Sequence, residues 1–136
     1  MLPTKREGRL MISAELLPDH VNVVVAGVID SNSASQFERE LRELVTKGHT
    51  KISLNLEHVR LVTSAGLRVL LVIAKELYEM DGGFVLYACQ PSVMEVFRIT
   101  GFETILHIVE GYAHAVTSLG GTIQSQDQIS GFRVLH

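Results

Sequence analysis

Residues 61–73 read LVTSAGLRVLLVI, and within them Thr63-Ser64-Ala65-Gly66 are the residues whose types and spacing suit chemistry. An apolar approach ends in two hydroxyls, two small residues follow, and a strongly apolar helix begins. That order puts Ser64 at a helix N-terminus, where orphan N–H groups and the positive end of the helix dipole favour negative charge. A phosphate can be placed there, or another macromolecule can grip it. The same hydroxyl also suits plain N-capping, which stabilises a helix by about 1 kcal/mol. The neighbours favour an approached site. Glycine in a helical turn costs about 1 kcal/mol relative to alanine, and Ala65 with Gly66 leaves the hydroxyl without bulky neighbours.

Other familiar chemistry is missing. There is no Walker loop, no GxGxxG follows a strand-like run, and V-T-S-A-G lacks the first glycine of a nucleophile elbow. A hydrolytic Ser-His-Asp set with His107 or His114 as base is an alternative, but no sequence neighbour of Ser64 supplies a base. Asp30 follows a strand-like run as a receiver-type phosphoacceptor would, without the acidic cluster or strand-end lysine that such a site needs. The six histidines show no metal-ligand spacing with Cys, Asp or Glu, so neither a metal nor a cofactor is expected. The single cysteine, Cys89, excludes an intramolecular disulfide and fits a reducing cytoplasm. It ends the apolar run FVLYAC and reads as an inert core thiol.

The elements that must position Ser64 emerge from patterning. With 136 residues, 46% of them hydrophobic and 20% charged, the chain suits one domain with a real core. A net charge of −3 is too mild to imply nucleic acid or an anionic membrane. MLPTKREGR lacks the apolar centre of a signal peptide, and no apolar run is long enough to span a bilayer. Strand-like runs at 10–17 and 21–29 flank Pro18-Asp19-His20 and predict an antiparallel hairpin, the second run being a central strand.

Ala34, Phe37, Leu41, Leu44 and Val45 recur at helical spacing, with Ser33 and Gln36 as a capping box and Gly48 as the stop. A third strand is predicted over 51–56, a turn over 57–60, and a second helix over 65–80. Its core face is Leu67, Leu70, Leu71, Ala74, Leu77 and Tyr78, which leaves Val69, Val72 and Ile73 either buried or covered by a partner. A strand at 84–89, a helix from Pro91 to Gly101, a strand at 104–109 and a helix at 112–119 complete the order ββαβαβαβα. Helix-separated strands after an opening hairpin predict an α/β fold on a mixed sheet of about five strands. Residues 1–8 read as an extension, 9–119 as the domain, and 120–136 as a polar, glycine-rich tail.

T-S-A-G-L at 63–67, followed by RVLLVIAKEL, resembles the D-S-[ST]-G-L signature of bacterial anti-sigma factor antagonists, which are small single STAS-domain proteins. The loop after VNVVVAGVID resembles the family's G-x-[IL]-D segment, which sets Asp30 on its aspartate. QPSVMEVFRITGFETILHI is similar to the family's late helix and strand. The resemblance covers roughly residues 9–119 and implies a STAS-type fold. It also implies a phosphorylation-controlled binding module. The unphosphorylated protein holds an anti-sigma factor that is also an ATP-using serine kinase, the kinase phosphorylates Ser64, the phosphorylated form lets go, and a PP2C-like phosphatase resets it.

Thr63 and Asn55 stand where the family often has aspartate, and Thr63 becomes a second candidate acceptor. The partner surface is expected over Asp30, Ser31, Asn32, Ser33, Thr63, Ala65, Gly66, Leu67, Arg68, Val69, Val72 and Ile73. Direct nucleic-acid and membrane binding are not expected, and the oligomeric state stays open between monomer and weak dimer. The alternative within the same fold is a non-switching scaffold subunit of a lipid-transport ATPase or stressosome-like assembly, with Ser64 a mere cap.

Overall fold

The computed structural model describes residues 10–120, so the expected extension at 1–8 and the tail beyond Gly120 lie outside the described residues. Along the chain run β1 (Met11–Leu16), β2 (Val21–Ile29), α1 (Ala34–Thr46), β3 (Lys51–Val62), α2 (Ser64–Glu79), β4 (Gly83–Tyr87), α3 (Pro91–Thr100), β5 (His107–Val109) and α4 (Tyr112–Ser118). The expected element order and the mixed α/β sheet are both present. Among the described residues the sheet has the order β1-β2-β3-β4-β5, with β1 antiparallel to β2 and the other neighbours parallel. β2 is flanked on both sides, as its nearly continuous apolar sequence requires.

Strand alternation sorts the core. Val23, Val25, Ile52, Leu54, Leu56, Phe84 and Leu86 turn to one face, where α1, α2 and α3 bring Phe37, Leu41, Leu70, Ile73, Leu77, Val93 and Phe97. The opposite register of β4, Val85 and Tyr87, packs beneath α4 against Ala115 and Leu119. A polar chain lies on this second face. The Tyr87 and Ser53 hydroxyls each donate to Asn22 Oδ1 at 2.8 Å, and His20 Nε2 meets the Tyr112 hydroxyl at 2.9 Å. The hairpin turn is thereby tied to the start of α4.

Four expectations need correction. The third strand does not end at Leu56. It runs to Val62, and 57–60 is not a turn, because β2 goes on pairing with it past two register shifts, at Val24/Ala26 and Gly27/Val28. β4 stops at the Tyr87–Asn55 pair, so Glu57, His58 and Arg60 face solvent and look like loop residues in the sequence. The last strand is also shorter than 104–109. Gly101 takes the left-handed conformation (φ 82°), and a single 3₁₀ turn, Phe102–Thr104, comes directly after it.

The Ser33–Gln36 capping box does not form. Gln36 instead accepts from the Leu10 N–H at 2.9 Å and donates to the Leu10 carbonyl at 3.0 Å. Asp30 Oδ1 accepts the N–H groups of Asn32 and Ser33 in its place. Finally, Val69 and Ile73 are buried at 1% and 0% exposure, so the broad apolar girth of α2 is core. Leu71 is only half-buried and Tyr78 is exposed, which rotates the inward face from the expected one.

Gly66 also has a structural duty. A Cβ there would lie 2.7 Å from Ile29 Cγ2, 2.9 Å from the Ile29 carbonyl oxygen and 3.0 Å from Val62 Cγ1. Its smallness serves the close approach of α2 to the ends of β2 and β3, not access from outside. Gly66→Ala should therefore destabilise the protein by about 1–3 kcal/mol despite alanine's better helix propensity. Urea unfolding of the two proteins measures this, and equal or greater stability of the alanine variant would contradict the packing account.

Candidate functional site

The site is built where two parallel strands end side by side. Ile29 pairs with Val62, and the Thr63 N–H donates to the Ile29 carbonyl at 2.9 Å. The two segments after these strands, Asp30–Ser33 and Thr63–Ser64, leave from the same edge of the sheet. This is the carboxyl end of the parallel strands, where α/β proteins place their sites.

The first of these loops is internally braced. Ser33 is fully buried; its hydroxyl donates to the Val28 carbonyl at 2.7 Å and accepts the Asp30 N–H at 3.0 Å. With Asp30 receiving two N–H groups, the loop presents Ser31 and Asn32 outward on a fixed frame.

At the second segment Thr63 is the residue that precedes the helix. Its backbone is extended (φ −96°, ψ −178°), and its carbonyl accepts the first helical bond, from Leu67, at 2.9 Å. Ser64 is thus the first helical residue, and the plain N-capping also open to it from the sequence is not its role. No side-chain hydrogen bond caps α2, and no acidic residue occupies its first turn. The Ser64 side chain is exposed at a helix N-terminus, where the dipole favours negative charge. Arg68, one turn on, is also exposed. Thr63 is half-buried, its hydroxyl 3.4 Å from the Ile29 carbonyl oxygen, which makes it the less accessible of the two hydroxyls.

The structure divides the expected partner surface. Asp30, Ser31, Asn32, Thr63, Ala65, Arg68 and Val72 are at least partly open. Ser33, Gly66, Leu67, Val69 and Ile73 are removed from it by burial in the loop frame and core. Arg60 and Leu61 were missed. Both are exposed on the final stretch of β3, Leu61 opposite Val28, and the Ser92 hydroxyl donates to the Arg60 carbonyl at 3.2 Å. An apolar Leu61 at 45% exposure, two residues before Thr63, was the available signal.

Asn55 lies within β3 and not at its end. Its side-chain oxygen accepts the Glu57 N–H at 2.8 Å, next to the first register shift. His107 opens β5 opposite Val85, so it lies toward the other end of the sheet from Ser64. Its pKa is lowered by burial and by nearby His114. No hydrogen bond links Ser64 to a histidine among the described residues. Among those residues, too, no group of three or more His, Cys, Asp or Glu is placed to hold a metal, and no helix is long and apolar enough to cross a membrane.

A mixed sheet with three helices on one face, and a serine exposed where two parallel strands end, defines a class of small α/β protein whose surface is made of strand-end loops. The STAS domain family matches residues 11–115, and the chain belongs to that family. BtrV of Bordetella bronchiseptica, by name a candidate anti-sigma factor antagonist, is 43% identical over 82 residues, 60% of this chain and 71% of BtrV. The anti-sigma-B factor antagonist of Listeria monocytogenes is 30% identical over 95 residues, 68% of this chain and 83% of that protein. The solved structure of SpoIIAA, an anti-sigma factor antagonist, in its unphosphorylated form has a TM-score of 0.71 at 20% identity, covering 84% of this chain and 100% of SpoIIAA. The phosphorylated form of Bacillus SpoIIAA scores 0.62 at 19% identity, covering 79% and 97%. At these identities the two structures speak for the fold alone.

Two outcomes check the site's construction. Ser33→Ala leaves the Val28 carbonyl and the Asp30 N–H without their partner, and unfolding should show a loss of about 1–3 kcal/mol. Burial pushes the Cys89 thiol up to about 12. In the unfolded chain it ionises near ~8.5. The folded state therefore keeps it neutral, and this contribution to stability is present below the unfolded value and is lost as pH rises toward the folded one. At pH 8 a disulfide reagent should label Cys89 quickly in denaturant and more slowly in the native protein, where it is partly buried; equal rates would refute the shielded, neutral thiol.

Proposed function

We propose that this protein is an anti-sigma factor antagonist whose grip on its partner is controlled by phosphorylation of Ser64, and that it acts as a binding module and not as an enzyme. The observation that carries the reading is the exposed Ser64 hydroxyl at the first helical position, free of capping duty, beside the braced Asp30–Ser33 loop. The names of the relatives supply the class of partner: an anti-sigma factor, here one with serine kinase activity. A PP2C-like phosphatase resets the site, and the exchange takes place in the cytoplasm.

The switch needs only local electrostatics. A phosphate adds about −1.5 to −2 charges near neutral pH. Within the antagonist that charge meets the positive end of α2, worth roughly 0.3–1 kcal/mol, and Arg68 one turn away. Across an interface closed over Ser64, the same dianion must be stripped of water, which opposes binding by roughly 3–5 kcal/mol when it is left unpaired. Neutral Thr63 and Asn55, in place of the family's frequent aspartates, leave Ser64 itself in position. Ser31, Asn32, Ala65, Arg68 and Val72 then form the contact surface with Leu61 at its margin.

The test is incubation of the purified protein with ATP and lysate from its source organism, followed by mapping of phosphate by mass spectrometry. Phosphate is expected on Ser64 and absent from Ser64→Ala. Ser64→Asp should weaken binding to the anti-sigma factor by on the order of a hundredfold, equivalent to ~3 kcal/mol. An unmodified Ser64, together with wild-type affinity in the aspartate variant, would overturn the switch.

A further inference from the structure

Among the described residues, the two edges of the sheet are finished differently. β5, at one edge, has only three residues, His107–Val109. β1, at the other, has six, and it pairs with β2 without a register shift. A regular, exposed edge is a template for another strand, and proteins blunt such edges by shortening them or with charge, proline or a bulge. β5 is blunted by its length. β1, MISAEL, has no proline, no bulge and one charge, Glu15, and it is exposed at every residue but Ile12, with Met11 at 68% and Leu16 at 63%. On the helix side of this edge, Ile12 and Ala14 join Leu41 and Leu44 of α1 in a groove of about 170 Å³, rimmed by Glu40, Glu43 and Lys47.

The strand that fits this edge best is β1 itself. Side chains alternate along a strand, so Ile12, Ala14 and Leu16 belong to the helix side and Met11, Ser13 and Glu15 to the other. A two-fold copy running antiparallel keeps its helices on the same side, so odd residues fall opposite odd and even opposite even. Centred on Ala14, the pairing brings Leu16 of the second copy opposite Ile12, alanine opposite alanine, and each Ser13 hydroxyl opposite a Glu15 carboxylate. Centred on Ser13, it would set Glu15 against Met11. Centred on Glu15, it would set two carboxylates against each other, which is destabilising. Only the register centred on Ala14 gives every carboxylate a hydrogen-bond donor. The charges of α1 agree with it. β2 and β3 are parallel, so the helix joining them runs opposite to β2 and therefore along β1. The second copy's helix runs the other way, which turns the Lys47 end of one groove rim toward the Glu40 end of the other.

We propose that β1 is a self-association edge: two copies of the chain pair antiparallel through Met11–Leu16 about a two-fold axis at Ala14, and Leu16 of each copy enters the groove of the other. The two five-stranded sheets then continue as one. A cavity of ~150 Å³ takes a benzene ring, so the groove has room for a leucine side chain. An edge this short buries less than the ~1,200 Å² of standard complexes, which makes the dimer weak and concentration-dependent. Met11 pairs with Ala26 toward the carboxyl end of β2, and the second copy runs in reverse. The two Ser64 sites therefore lie at opposite ends of the joined sheet, and the contact covers neither.

Sedimentation of the full chain from ~5 µM to ~1 mM tests it, with hydrogen–deuterium exchange at both ends of that range. Ser13 and Ala14 are exposed, so variants at these positions should fold as the wild type does. The wild type should pass from monomer to dimer, with exchange in Met11–Leu16 slowing about threefold or more at the higher concentration and unchanged in β3 and β4. Ala14→Arg and Ala14→Asp each set like charges together at the axis and should stay monomeric alone. An equal mixture of the two should dimerise, because this register puts position 14 opposite itself. Ser13→Lys, facing Glu15 of the second copy, should tighten the dimer about threefold through two opposite-charge pairs. A wild type that stays monomeric throughout would overturn the proposal, and so would dimerisation indifferent to Ala14→Arg or a mixture that fails to associate. Equal protection of β1 at both concentrations would also overturn it, by assigning the cover to the chain itself.

Discussion

The junction of β2, β3 and α2 at Ile29 is the contact on which the rest of the architecture depends. There the Thr63 N–H meets the Ile29 carbonyl, Val62 lies opposite Ile29, and Gly66 lets the first turn of α2 settle onto both. A backbone hydrogen bond of this kind contributes only about 1 kcal/mol net. Its consequence is geometric: it sets the end of one parallel strand against the end of the next, so that two loops far apart in sequence share one surface. The glycine matters for the same reason. Any side chain at position 66 would lift the helix end from the sheet and move Ser64 with it.

The frame around this junction is rigid by composition. α1 and α2 are held against the sheet by fully buried Phe37, Leu41, Leu70, Ile73 and Leu77. Arg42 also spans the two helices, 2.7 Å from Glu76 Oε2 and 3.0 Å from Glu38 Oε2, and these hydrogen bonds raise its pKa. The three side chains are partly exposed, so solvent screening keeps such pairs to at most about 1 kcal/mol. The buried apolar contacts therefore outweigh the ion pairs in holding the helices to the sheet.

The two faces of the sheet are unequal. One carries three helices and the large core; the other carries α4, held by Val85 and Tyr87 and by the hydrogen bonds of Asn22, Ser53, His20 and Tyr112. The polar chain reaches from the β1–β2 turn across to the α4 side. The hairpin is thus anchored from its turn, while its outer strand keeps an unpaired edge among the described residues.

The sequence by itself determined the element order, the position of a serine at the start of the second helix, and the class of fold. Local period and turn chemistry carry these, and both are properties of near neighbours. VNVVVAGVI has to lie between two strands, and Pro91 and Gly101 mark the ends of a helix whatever surrounds them. Tertiary structure decided the rest. Glu57 to Arg60 are polar and look like a turn, yet they extend a strand because β2 supplies the hydrogen bonds. Val69 and Ile73 had two possible destinations, and only the packing of α2 against the sheet chose the core. Gly66 looked like a means of access until the position of Ile29 showed it to be a close contact. In each case the deciding partner lies tens of residues away, and burial and backbone pairing at that distance leave no trace in local pattern.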